Sequence, residues 1–130
     1  MKSSNLVKQE LSLLANLAAR LLATPVATIT VYDKNSDDAA DNGDNIAHMA
    51  VSCDKLWATN HPDIDIKQLG SPRNAMTQQL ELYVSIPMRN GDGGTVGMVA
   101  CAGDETRDLN DQELGILKHI TALAAAVVHS

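Results

Sequence analysis

The segment from Tyr83 to Gly103, YVSIPMRNGDGGTVGMVACAG, decides the fold. It holds Gly91, Gly93, Gly94 and Gly97 between two apolar runs. A dinucleotide site needs G-x-G-x-x-G after a strand and before a helix, so that backbone amides at a helix start meet the phosphate. Here Gly91, Gly93 and Gly97 give G-x-G-x-x-x-G, and Val96 to Ala102 continue as a strand. No G-K-[ST] follows. The stretch therefore reads as two strands and a reversal. Gly91, Gly93 and Gly94 supply the positive φ that a hairpin requires, and Gly97 permits close packing beside it.

Working outward, LELYVSIPM alternates, with Leu80, Leu82, Val84 and Ile86 on one face and Tyr83 and Ser85 on the other. Downstream, Asn110 is followed three residues later by Glu113, the signature of a capping box. Leu109 and Leu114 are placed to staple that helix start. Asp111 and Glu113 suit the positive end of the helix dipole. An apolar stripe of Leu114, Leu117, Thr121, Ala124 and Val128 carries the helix to the C-terminal end.

Upstream, residues 4–23 fit a helix striped by Leu6, Leu14, Leu17 and Leu21 and widened by Leu11, Leu13, Ala18 and Leu22. Pro25 ends it. VATITVYD then alternates as a half-buried strand, with Ala27, Ile29 and Val31 opposite Thr28, Thr30 and Tyr32. IAHMAVSC, from Ile46 to Cys53, reads as its hairpin partner across a polar, acidic loop. Residues 54–79 have turn signals and a helical turn or two starting at Pro72, and no long period. The order is helix, strand pair, irregular middle, strand pair, helix. This is an α+β class: an antiparallel sheet whose two terminal helices cover one face.

Composition narrows the function. The 130 residues suit a single domain with a real core. Aromatic residues are Tyr32, Trp57 and Tyr83 alone, so stacking platforms for single-stranded nucleic acid are nearly absent. The net charge is -6, with Lys and Arg scattered, which argues against nucleic acid and anionic membrane as partners. No apolar run is long enough to span a bilayer, and the N-terminal residues read as an amphipathic helix instead of a signal peptide. A cytoplasmic location is expected. Cys53 and Cys101 form no C-x-x-C and imply no disulfide framework.

Three candidate chemistries are weaker than their plain structural readings. Asp33, Asn35, Asp37 and Asp44 fit part of a calcium loop, but Asp38 stands where that loop needs Gly, and the flanks are strands. His48, Cys53 and His61 have no metal-ligand spacing, so no metal site is assigned. Cys53 has no local activating group for nucleophilic work. The terminal helices do carry more apolar surface than one sheet face covers. A second copy could pair with the surplus to form a helical bundle.

The C-terminal half resembles the closing half of a GAF domain. The matching features are Pro87 and Met88 at a strand end, Gly91 to Gly94 in the turn, Gly97 to Cys101, and Leu109 to Glu113 at the helix start. LANLAARLLATPVATITVYD is similar to the family's opening helix and first strand. The likeness is weak over residues 34–79. It implies an antiparallel sheet with the terminal helices on one face. An irregular segment with a short helix covers the other, as in GAF and profilin-like folds.

Family behaviour implies a bacterial, non-enzymatic sensory or regulatory module that dimerises, binds a small molecule beneath that segment and acts through a partner protein. Carried over by position, the pocket would use Met49, Val51, Cys53, Trp57, Met76, Tyr83 and Ser85. The dimer stripe would use Leu6, Leu14, Leu17, Leu21, Leu117, Thr121, Ala124 and Val128. Neither the cyclic-nucleotide motif nor the cysteine context for bilin attachment is evident, and the cofactor is left unknown. Two alternatives stay open: a roadblock-type interaction module, which needs a longer central helix that Pro62 and Pro72 oppose, and a thiol reductase using Cys53.

Overall fold

A computed structural model describes residues 4–32, 46–66, 80–89, 91, 93–106 and 108–129. Helix α1 (Ser4–Leu21) leads into β1 (Val26–Tyr32), β2 (Ile46–Cys53), the short helix α2 (Lys55–Asn60), β3 (Leu82–Arg89), β4 (Thr95–Gly103) and α3 (Asp111–His129). The acidic loop and the Pro72 turn lie outside the described residues.

The four strands form one antiparallel sheet in the order β2-β1-β4-β3. The two hairpins expected from sequence are both present. They join through β1 and β4, which pair from Val26↔Ala102 to Val31↔Gly97. β1 is thereby central. Every residue of it is buried, on both faces. The half-buried strand read from its alternation is corrected on this point: the threonine face is covered as fully as the aliphatic one.

Gly97 lies where β4 passes β1. A Cβ there would collide with the Thr30 carbonyl and the Met88 methyl, so glycine is required by packing. In the β3–β4 turn Gly93 carries the positive φ, +83°. Gly91 has none. Arg89 closes the turn by donating to the Gly93 carbonyl at 3.1 Å. Pro87, which cannot donate to a ladder, sits on edge strand β3.

Both terminal helices pack on one face of the sheet. Their core contains Val7, Leu11, Ala15, Ala18 and Leu22 of α1 and Leu117, Ile120 and Ala124 of α3. Beneath them lie Ala27, Ile29 and Val31 of β1, Ala50 of β2, Met88 of β3 and Val99 and Cys101 of β4, with Val84 and Ile86 at the margin. Leu80 departs from the face expected of it. It precedes β3, escapes strand alternation and packs with Trp57 on the opposite side.

The helix ends follow local chemistry. α3 starts with the capping box: Glu113 N–H donates to Asn110 Oδ1 at 2.8 Å, and Asn110 N–H to Glu113 Oε1 at 3.2 Å. α1 stops in a Schellman motif, with Thr24 N–H on the Ala19 carbonyl (3.0 Å) and Ala23 N–H on the Arg20 carbonyl (3.3 Å). Its left-handed position is Ala23, at φ 53°, where glycine is usual. α2 was not foreseen. Asp54 caps it, accepting from the Leu56 and Trp57 amides, and its own amide donates to the Pro25 carbonyl at 2.8 Å. Among the described residues of the middle segment the one helix has six residues and stops before Pro62; the rest of the stretch where the roadblock alternative needs a long helix lies outside the described residues.

Candidate functional site

The sheet face away from α1 and α3 is set by register. Three rows of side chains cross it. The first is Cys53, Val26, Ala102 and Tyr83; the second is Val51, Thr28, Ala100 and Ser85; the third is Met49, Thr30, Met98 and Pro87. Six of the seven expected pocket residues are on this side: Met49, Val51, Cys53, Tyr83 and Ser85 in the rows, and Trp57 above them. Met76 lies outside the described residues.

Trp57 covers one end. It packs against Val26 and Ala102, with Cys53, Ile64, Ile66, Leu80 and Tyr83 around it. Its helix is held at three points: the Asp54 cap, the Asp54–Pro25 bond, and His61. The imidazole of His61 stacks on the indole at 4.3 Å between centroids and donates through Nδ1 to the Trp57 carbonyl at 2.8 Å. Its Nε2 is 3.4 Å from Asp104 Oδ2. A cleft of about 420 Å³ opens beside this clamp, between Ala23–Pro25, α2 and Asp104–Glu105.

The centre of the face carries the residues that sequence reasoning passed over. Thr28 is 1% exposed and Thr30 is fully buried, yet neither hydroxyl has a hydrogen-bond partner among the described residues. Trp57, 6% exposed, leaves its indole N–H equally unpaired. A buried polar group without a partner costs about 1–3 kcal/mol, and such groups are few in native proteins. The signal was present in TIT at 28–30, because threonines at i and i+2 on a strand share a face. What hid it was the reading of that face as solvated.

The ionisable groups of the face are held neutral. Burial, with Asp54 adding to it, pushes the Cys53 thiol up. Burial likewise raises the Tyr83 phenol, and Ser85 offsets part of that. A nucleophilic cysteine needs a thiolate, so the environment of Cys53 opposes the reductase alternative. No group of metal-ligating side chains occurs among the described residues.

The expected dimer stripe divides in two. Leu117, Thr121 and Ala124 are buried in the monomer core and present no surface to a second copy, whereas Leu14 and Val128 pack against that core half-buried. This corrects the expectation; the apolar stripe of α3 is consumed by its own sheet. Leu6, Leu17 and Leu21 do point outward, joined by Leu13, which is 70% exposed, and by Leu123 of α3. The core stripe of α1 runs instead through Val7, Leu11, Ala15, Ala18 and Leu22. Between the two helices Glu10, Leu13, Leu14, Leu123, Ala126 and Val127 line an open, mainly apolar groove of about 350 Å³.

No protein-family profile matches the chain, and no curated protein matches it by sequence. Solved structures do match. The cyanobacteriochrome receptor PixJ aligns with a TM-score of 0.65 at 14% identity, over 95% of this chain and 95% of that one. The fold is that of a GAF domain. A GAF3 domain from Synechocystis in its photoproduct state aligns at 0.64 and 11% identity, over 94% and 92% of the two chains. The GAF domain of an Acinetobacter phosphoenolpyruvate-protein phosphotransferase aligns at 0.59 and 12%, over 95% and 82%. The four antiparallel strands and the two terminal helices on one face of this chain agree with the architecture read from sequence, while α2 stands on the other face at a place that reading did not assign.

Proposed function

We propose that this chain is a non-catalytic sensory or regulatory module of the GAF type. It binds a small molecule on the sheet face bearing Thr28 and Thr30. It pairs with a second copy through the outer sides of α1 and α3, and it passes its state to a partner protein. The observation that carries the reading is the pair of buried hydroxyls, Thr28 and Thr30, that are unpaired among the described residues at the centre of this face. Two further features support it. Structurally similar chains include light-absorbing cyanobacteriochromes and a GAF domain of a phosphotransferase. Leu6, Leu13, Leu17, Leu21 and Leu123 form an outward apolar strip of the kind that marks an interaction surface.

Native mass spectrometry of untagged protein tests both halves together. The expected species has twice the 13.8 kDa chain mass and carries a retained small molecule. L13D/L17D should yield a folded monomer that keeps the adduct. A wild-type monomer without any adduct overturns the proposal.

A further inference from the structure

Two charges on α1 give a direction to the pairing of two copies, and this inference rests on the pairing half of the reading above. The core stripe of α1 is Val7, Leu11, Ala15, Ala18 and Leu22. Outside that stripe, Leu6, Glu10, Leu13, Leu17 and Arg20 follow one another at steps of four and three. That is the spacing of a seam that meets a second helix. Leu13 is 70% exposed, and Leu6 and Leu17 are each 42% exposed. Arg20 is exposed as well, and Glu10 is half-buried at the rim of the groove that it shares with Leu13 and Leu123. Leu13 and Leu17 thus sit between an acid and a base. Glu10 and Arg20 are themselves about 15 Å apart along the helix, too far to pair within one chain.

Side chains of two helices meet in layers along a seam, and the direction of the helices decides which residues share a layer. Parallel copies would set Glu10 on the partner's Glu10 and Arg20 on the partner's Arg20. Like charges would then meet in two layers of a seam closed to water, which is costly. Antiparallel copies that cross at the level of Ala15 set Glu10 on the partner's Arg20 and Leu13 on the partner's Leu17. The twofold axis between the copies repeats both layers. We infer that two copies pair antiparallel along α1, with an ion pair between Glu10 and the partner's Arg20 at each end of the Leu13 and Leu17 layers. The leucines supply the attraction and the charges choose the direction. Leu123, exposed on α3 across the groove from Leu13, widens the apolar contact.

Sedimentation equilibrium of the full chain at low salt tests the direction, with wild type beside E10K, R20E and E10K/R20E. Each single reversal sets like charges face to face twice and should raise the dimer Kd about tenfold or more. The double reversal restores opposite charges in both layers and should return the Kd to within about threefold of wild type. Single reversals without effect, as parallel copies would give, overturn the inference. So does a double reversal that dimerises no better than the single ones. R20K keeps the charge and the fold, and gives a readout that does not depend on charge-reversed chains folding. Carbodiimide condenses a carboxylate with an amine in contact, so the covalent dimer of R20K should yield a peptide pair joining Glu10 to position 20 of the other copy. Absence of that pair overturns the inference too. A wild-type chain that stays monomeric overturns the pairing reading itself, whereas a dimer indifferent to these charges overturns only its direction.

Discussion

The two faces of the central strand differ in one respect that separates stability from function. Ala27, Ile29 and Val31 face the terminal helices and sit in a continuous aliphatic core. Thr28 and Thr30, interleaved with them, are as deeply buried but leave their hydroxyls unpaired. Valine would fill nearly the same space at no hydrogen-bonding cost. A fold selected for stability alone has no use for threonine there. The helix face holds the molecule together; on the proposed reading, the opposite face keeps polar groups that are unpaired among the described residues for a ligand.

The comparison breaks most readily from the helix side. Leu117 is fully buried under both α1 and the sheet. Leu117→Ala should cost about 2–5 kcal/mol in a urea titration, from lost burial plus the cavity left behind. Ile29→Thr places on the helix face the group that the other face tolerates. It should cost about 2–3 kcal/mol, because nothing in that core accepts a hydroxyl. If Ile29→Thr were as mild as its neighbours suggest, the two faces would not differ in kind.

A pH experiment sharpens the same contrast. Cys101 lies on the helix face, where burial pushes its thiol up from 9.0 to about 11, with the Thr24 hydroxyl offsetting a part. The folded state therefore holds its proton more tightly than the unfolded chain does. The contribution is complete below pH 9 and is lost as pH climbs from 9 toward 11. Over that window wild-type should lose roughly 2 kcal/mol more than Cys101→Ala does. The difference between the two chains is the readout, since the raised Cys53 and Tyr83 contribute to both. Away from either face, Ala23→Gly relieves the left-handed residue that ends α1. It should add about 0.5–1 kcal/mol, visible as a small rise in thermal midpoint.

Local signals were legible where residues act on near neighbours. The capping box at Asn110, the glycine turn and the bounds of β2 needed only a few adjacent positions to read. The pairing of β1 with β4 was not legible, because it joins residues some seventy positions apart and no local pattern encodes it. That pairing makes β1 an inner strand, so the same gap concealed how deeply Thr28 and Thr30 are buried. Strand alternation placed Thr28 and Thr30 on the correct face but could not tell a covered face from a wet one. α2 escaped notice because its capping signal is a lone Asp54 and its length is too short for any period. On α1 the leucines are numerous enough to fit more than one stripe. Alanines 15 and 18, small residues that let the helix lie close to the sheet, decide the true one.

The central claim is that Thr28 and Thr30 are kept for a ligand and are not part of what holds the fold together. Urea denaturation of T28V/T30V beside wild-type, both stripped of any bound small molecule, addresses it most directly. The account predicts a midpoint equal to wild-type or higher, by up to about 1–2 kcal/mol, because two unpaired buried hydroxyls are exchanged for methyl groups of similar shape. A loss of more than about 1 kcal/mol would mean that the hydroxyls are bonded within the protein, and would contradict the account.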